Sequence, residues 1–268
     1  MHALTSFEPP FLIAGSCALE DEATAREIAQ RLKAIKETLG IPVVFKGSYK
    51  KANRTREKSY HGLGLKKGLE LLALVRREYG LPVTSDVHEV AEVEQAAGVL
   101  DVIQIPSLLC KNTDLLHAIG DTGKTVNIKK GQFVTAEDVG FSIEKIASRG
   151  NTHIWVTERG TLFGYGEIIV DFRSIGTLKK FGFPVIFDTT HSVRHTARRS
   201  EAPNGGTPEC ISLLTRCAAA AGADGMFAET HPSPKAALCD SIVSYPLSDL
   251  MNLVRSFKEI HGFVKRMG

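Results

Sequence analysis

No apolar run in the chain approaches the roughly 20 residues that cross a bilayer as a helix. The opening residues, Met-His-Ala-Leu-Thr-Ser-Phe-Glu-Pro-Pro, lack the charged start and apolar middle of a secretory signal. A cytoplasmic protein without a membrane partner is therefore expected. Cysteine is scarce and odd in number: Cys17, Cys110, Cys210, Cys217 and Cys239 lie scattered, which argues against a disulfide framework and leaves room for one of them as a ligand or reactive thiol. Charge is nearly balanced, with 33 Lys+Arg against 30 Asp+Glu and a net +3, too little and too dispersed for a nucleic-acid surface. Low-complexity segments and linkers are absent too, so a single domain spanning residues 1–268 is expected.

What the chain does contain is a repeating unit: a short apolar strand, a polar or charged end, then an amphipathic helix. The pattern predicts eight strands, at Phe11 to Ser16, Val43 to Ser48, Val83 to Val87, Val102 to Pro106, Thr125 to Lys130, His153 to Arg159, Val185 to His191 and Gly225 to Thr230. Helical stripes lie between them, as in Ile28, Leu32, Ile35 and Leu39, or Leu65, Leu69, Leu72 and Val75. Gly40, Gly80 and Gly98 read as the left-handed residues that close three helices. Parallel neighbours need right-handed crossovers, and eight such units imply a closed (β/α)8 barrel of the TIM type. The competing fold, an open doubly wound sheet, normally shows a glycine-rich loop after its first strand, which Gly15-Ser16-Cys17 does not supply.

In such a barrel chemistry sits at the carboxyl ends of the strands. Here those ends carry Cys17, Lys46, Asp86, Gln104, Lys129, Arg159, His191 and Glu229. Lys46, Lys51, Arg54, Lys129 and Arg159 form a cationic set able to hold two anions, since arginine grips phosphate with two prongs and lysine supplies a mobile point charge. The competing reading pairs Lys129 or Lys130 and Arg159 with Glu158, Asp171 or Asp188 in structural bridges, and a Schiff-base lysine at 46 or 129 is a further alternative. Cys17, His191, Glu229 and Asp240 offer a thiolate, an imidazole and two carboxylates, a set suited to a divalent metal such as Zn, Fe or Mn. Asp86 is read as a substrate contact or a helix cap, and His231 as a turn former or an orienting partner. Two irregular stretches, Ser192 to Gly206 with Arg194, Arg198 and Arg199, and Pro232 to Pro246, read as lids.

At these residues the chain resembles the 3-deoxy-D-manno-octulosonate 8-phosphate synthases. The matching segments are Lys51-Ala-Asn-Arg54, Val102-Ile-Gln-Ile-Pro106, Thr113-Asp114, Val126-Asn-Ile-Lys-Lys-Gly-Gln-Phe133, Arg159-Gly with Phe163-Gly-Tyr165, Asp188-Thr-Thr-His191 and Glu229-Thr-His-Pro232. The related DAHP synthases, which use erythrose 4-phosphate, carry a Lys-Pro-Arg-Thr type of sequence in place of Lys51-Ala-Asn-Arg54. The resemblance implies a homotetrameric barrel that condenses phosphoenolpyruvate with arabinose 5-phosphate and water for lipopolysaccharide synthesis. It further implies that Lys46, Lys51, Gln104, Lys129 and Arg159 hold phosphoenolpyruvate, that Asn53, Arg54 and Thr55 hold the sugar phosphate, and that Lys51, His191 and Cys17 serve catalysis. Cys17, His191, Glu229 and Asp240 match the ligands of a metal-dependent branch, whose metal-independent counterpart has Asn at the position of Cys17. Lys111 stands where the family commonly has an arginine reaching a neighbour's sugar-phosphate site, so it too is a candidate substrate contact. A sugar-phosphate-binding barrel without chemistry is the alternative of another class.

Overall fold

The computed structural model describes residues 7–52, 59–163, 166–196, 198 and 202–267. The predicted Asn53, Arg54 and Thr55 contacts, and Gly164 and Tyr165, lie outside the described residues. Eight parallel strands, Phe11–Ala18, Val43–Ser48, Val83–Asp86, Val102–Ile105, Thr125–Lys129, Ile154–Glu158, Val185–Asp188 and Gly225–His231, pair in chain order, and the first then pairs with the last from Phe11↔Gly225 to Gly15↔Glu229. The sheet is closed: this is the (β/α)8 barrel that the periodicity predicts.

Among the described residues eight α-helices cover it, one after each barrel strand: Glu22–Leu39, Leu65–Tyr79, Val93–Val99, Thr113–Gly120, Val139–Ala147, Arg173–Lys179, Ile211–Ala220 and Leu250–Met267. The first helix starts at Asp21, whose side chain accepts from the Thr24 N–H, and it buries Ile28, Leu32, Ile35 and Leu39 against the sheet. Gly40 and Gly80 close their helices in the left-handed region, at φ 60° and 63°. Gly98 does not: it lies inside Val93–Val99, and that helix ends at Leu100 in an extended conformation rather than through a left-handed cap. Strand seven stops at Asp188, three residues earlier than predicted, because the chain turns there into the 3-10 segment His191–Val193, whose start is tied back to the Asp188 carboxylate.

Side chains alternate across each strand, so odd and even positions face different neighbours. Leu12, Ala14, Val43, Phe45, Val126 and Ile128 face the helices in the large outer core. Phe11, Ile13, Val44, Val102, Trp155, Ile186 and Phe227 fill the lower barrel interior. The next inward positions towards the carboxyl ends are polar yet buried, including Lys46, Asp86, Gln104, Asn127, Lys129, Thr157, Asp188 and Glu229. The described residues contain no helix long and apolar enough to cross a membrane.

Candidate functional site

The mouth of the barrel is built from the upper residues of the strands and from what immediately follows them. Strand one reaches it through an irregularity: Ser16 pairs with Gly47 but Ala18 with Ser48, leaving Cys17 as an extra residue. Such a bulge re-aims a side chain. Gly15 makes it possible, since a Cβ there would stand 1.8 Å from the Lys46 carbonyl oxygen. The re-aimed Cys17 thiol donates to Asp240 Oδ2 at 3.1 Å, and burial, with Cys239 and Asp240 beside it, pushes its pKa well above the usual thiol value.

Asp240 arrives from the loop after strand eight in the left-handed region, at φ 49°, a conformation that Asp tolerates better than most residues. The Val243 and Ser244 N–H groups fasten the turn by donating to its carbonyl at 3.1 and 3.0 Å. Glu20 anchors the loop from outside, accepting from the Leu238 N–H at 2.8 Å and lying 3.5 Å from His231 Nε2. His231 sits in a turn, with Nδ1 2.7 Å from the Ser233 carbonyl oxygen, and its Nε2 faces Glu20 without a hydrogen bond among the described residues.

Lys46 is fully buried and donates to the Ser16 and Cys17 carbonyls at 3.1 and 2.7 Å and to Glu229 Oε1 at 2.6 Å. Lys51 lies 3.5 Å from the same Glu229 oxygen and 3.4 Å from Asp86 Oδ2. Burial opposes the Lys51 charge, yet the anionic groups around it, Glu229 and Asp86 among them, hold its pKa well above the ordinary lysine value. Glu229 shows the mirror image: burial favours the neutral acid, but His191, Lys46 and Lys51 outweigh it and bring the carboxyl down to about 2.

Asp86 is no helix cap; it faces the interior, accepting from Ser48 Oγ at 2.7 Å and Gln104 Nε2 at 2.6 Å. Gln104 in turn accepts from Asn127 at 3.0 Å, and Asn127 from Thr157 at 2.7 Å. Five strands, the second to the sixth, are thereby laced by one file of neutral and charged groups.

Lys129 pairs with Asp188 and stands 3.3 Å from the centroid of the Phe227 ring. Burial draws its pKa below the ordinary lysine value, with Asp188 only partly compensating. Asp188 also meets His191 Nδ1 at 2.8 Å and takes the His191 N–H at 2.9 Å, which aims Nε2 at Glu229 Oε2, 3.3 Å away, and at Asp240 Oδ2, 3.8 Å away. Arg159 is buried beside them and donates to Gln132 Oε1 at 3.0 Å.

The structural-bridge reading therefore holds for Lys130, which faces away from the mouth, 3.5 Å from Glu158 and bonded to Gly160 O and Thr161 Oγ1 at 3.1 Å each. Lys129 has an ion-pair partner but keeps its place in the mouth. Lys111 is exposed at the start of the fourth helix, outside the buried cluster, where its carbonyl accepts from Lys145 at 3.0 Å. Asp188, Asn127, Thr157 and Ser48 were not singled out from the sequence as site residues. Their inward parity on the strands was the available signal, and only their partners reveal what they hold.

Two donor groups overlap at Asp240: His191, Glu229 and Asp240, and Cys17, Cys239 and Asp240, each with ligand atoms within 4.8 Å of one another. Glu229 Oε2 and Asp240 Oδ1 are buried without a hydrogen-bond partner among the described residues. An unmet buried carboxylate oxygen costs about 1–3 kcal/mol or more, and a cation shared by the donors removes that cost. Each of the two triads, His191, Glu229 and Asp240 or Cys17, Cys239 and Asp240, has donors of the kind that could hold a divalent ion.

Comparison with known proteins places this geometry in a family. The DAHP synthetase I family matches residues 7–265. A protein of Syntrophotalea carbinolica named 2-dehydro-3-deoxyphosphooctonate aldolase is 47% identical over 257 residues, covering 96% of this chain and 92% of its own length. Proteins of the same name from Geobacter metallireducens, 46% identical with 96% of this chain and 94% of their own length covered, and from Cupriavidus necator, 43% identical with 97% and 92% covered, are similar along the whole barrel. The chain belongs to the DAHP synthetase I family.

Proposed function

We propose that the protein is a 3-deoxy-D-manno-octulosonate 8-phosphate synthase, condensing phosphoenolpyruvate with D-arabinose 5-phosphate and water to give the octulosonate 8-phosphate and inorganic phosphate. The observation that carries this reading is the collection of Lys46, Lys51, Lys129 and Arg159, each buried, at one end of a closed barrel whose similar proteins are named 2-dehydro-3-deoxyphosphooctonate aldolase. Two phosphates and a carboxylate repel one another strongly in a shared pocket, and clustered cations offset that repulsion. The Lys51-Ala-Asn-Arg54 segment favours the octulosonate reaction over DAHP synthesis from erythrose 4-phosphate. Exposed Phe133, Phe141 and Phe163 offer apolar surface that the proposed homotetramer would cover. Action in the cytoplasm, for lipopolysaccharide synthesis, completes the reading.

In the reaction C3 of phosphoenolpyruvate bonds to C1 of the sugar aldehyde while water adds at C2, and the resulting hemiketal phosphate releases phosphate by C–O cleavage. Lys46, Lys51, Gln104, Lys129 and Arg159 would hold phosphoenolpyruvate, and Asn53, Arg54 and Thr55 the sugar phosphate. His191, held by Asp188 through Nδ1, presents Nε2 to the interior, where it can relay the proton lost by water. Lys51, between Glu229 and Asp86, keeps an ammonium available for the developing oxyanion.

Cys17, His191, Glu229 and Asp240 would hold Zn, Fe or Mn, which supplies Lewis-acid polarisation of the aldehyde or acidification of water. Chelator-stripped enzyme is expected to lose phosphate release and regain it with individual divalent ions, and Cys17→Asn is expected to lessen that requirement. Full turnover after stripping would remove the metal and leave the reaction. Equal phosphate release with erythrose 4-phosphate would remove the substrate assignment.

A further inference from the structure

Arg194 has no part in the chemistry above. It leaves the turn His191–Val193 with its N–H donating to the His191 carbonyl at 3.3 Å, and it bridges antiparallel to Gly206. Gly206 permits that approach, because a Cβ there would stand 2.7 Å from the Val193 carbonyl oxygen, the same oxygen that accepts from the Thr207 N–H at 2.9 Å. The backbone at Arg194 is therefore tied on both flanks although it belongs to a loop.

The side chain turns into the mouth, with Nη1 3.5 Å from Asp240 Oδ1. Charges attract at that distance, yet no hydrogen bond forms: Asp240 Oδ1 and the buried Arg194 Nε both lack a partner among the described residues. A guanidinium placed only to neutralise Asp240 would dock on it with two parallel hydrogen bonds. Arg159 follows Glu158, which pairs with Phe187 of strand seven, so it flanks the strand that leads into the Arg194 turn; burial first, and the charge of Arg194 among other causes, draw its pKa below the ordinary arginine value. Two arginines at one rim, one of them with a buried and unpartnered Nε, are suited to an anion that takes hydrogen bonds from both.

We propose that Arg194 and Arg159 form a two-arginine clamp for a phosphoryl group, so that Arg194 contacts the phosphate of phosphoenolpyruvate and the inorganic phosphate it becomes. The substrate named here rests on the reaction proposed above. The clamp itself is tested without turnover.

Inorganic phosphate is titrated calorimetrically into the metal-loaded full chain and into Arg194→Gln and Arg194→Lys, and steady-state constants are measured alongside. Arg194→Gln is expected to raise the phosphate Kd and the KM for phosphoenolpyruvate about tenfold or more, the scale of a lost charge-assisted pair. Arg194→Lys should recover part of both, while the KM for arabinose 5-phosphate moves little. Unchanged phosphate affinity in Arg194→Gln overturns the clamp. So does a change confined to metal affinity, read by competition with a chromogenic chelator, because the guanidinium would then serve Asp240 alone. If Arg194→Gln does not fold, Arg194→Met is read by the same criteria. Phosphate binding that depends on Arg194 in a protein that never consumes phosphoenolpyruvate would discard the reaction and retain the clamp.

Discussion

The lower and upper halves of the barrel interior are made by the same strands, two residues apart, and they obey opposite energetics. Below, Phe11, Ile13, Val44, Val102, Trp155, Ile186 and Phe227 exclude water and stabilise the barrel by burial. Above, Lys46 follows Val44, Glu229 follows Phe227 and Asp188 follows Ile186, all of them buried. Each of those charges loses hydration on folding, and only its neighbours' charges and hydrogen bonds offset the loss. Lys46 and Lys51 share Glu229, and Lys129 and His191 share Asp188. The upper half is therefore assembled for an incoming ligand at some cost in stability, and the lower half supplies the rigidity that keeps it in place.

The sharpest way to break this contrast is Lys46→Met. It leaves Glu229 Oε1 facing only the longer 3.5 Å approach of Lys51. Breaking a buried pair in this way costs about 3–5 kcal/mol, and losing a cation that the proposed reaction assigns to phosphoenolpyruvate is expected to lower turnover about a thousandfold. Denaturant unfolding and phosphate release measure the two effects separately. Phe11→Ala should cost a similar stability, about 3–5 kcal/mol, with turnover per folded molecule nearly unchanged. If it reduced turnover as far as Lys46→Met does, the halves would not be separable functions.

The smallest effect concerns acid. Glu229 lies at about 2 in the folded protein, below its unfolded value near 4.3, so its contribution to stability is full above pH ~4.3 and is lost as pH falls through about 2. Asp86, Asp188 and Asp240 are lowered too, each by neighbouring positive charge that outweighs burial, and they act in the same direction. Stability measured from pH 7 downward should therefore fall below about pH 4. Phe11→Ala should lower that whole curve without altering its acid slope, whereas Glu229→Gln should make the slope shallower.

Much of this was legible in the chain. Strand and helix periods differ physically, so eight alternations could be counted, and cations at strand ends could be assigned to one rim once the barrel was inferred. Parity would even have separated Lys129 from Lys130, since consecutive residues of a strand face opposite sides. Other features were not legible. Cys17 depends on a bulge whose only local trace is Gly15, and Asp240 depends on a loop that Glu20 anchors from 218 positions away. The double duty of Asp188 requires knowing that Lys129 of strand five reaches past strand six to strand seven inside the barrel.

By itself the sequence determined the barrel, its strand order and the residue types at its rim, because hydrophobic period and residue chemistry are local properties read along the chain. Tertiary structure alone decided which charges share a partner, which carboxylate oxygens lack one, and that Arg194 stands beside Asp240. Pairing depends on distances of a few ångströms between segments far apart in the chain, and those distances exist only after the barrel has closed.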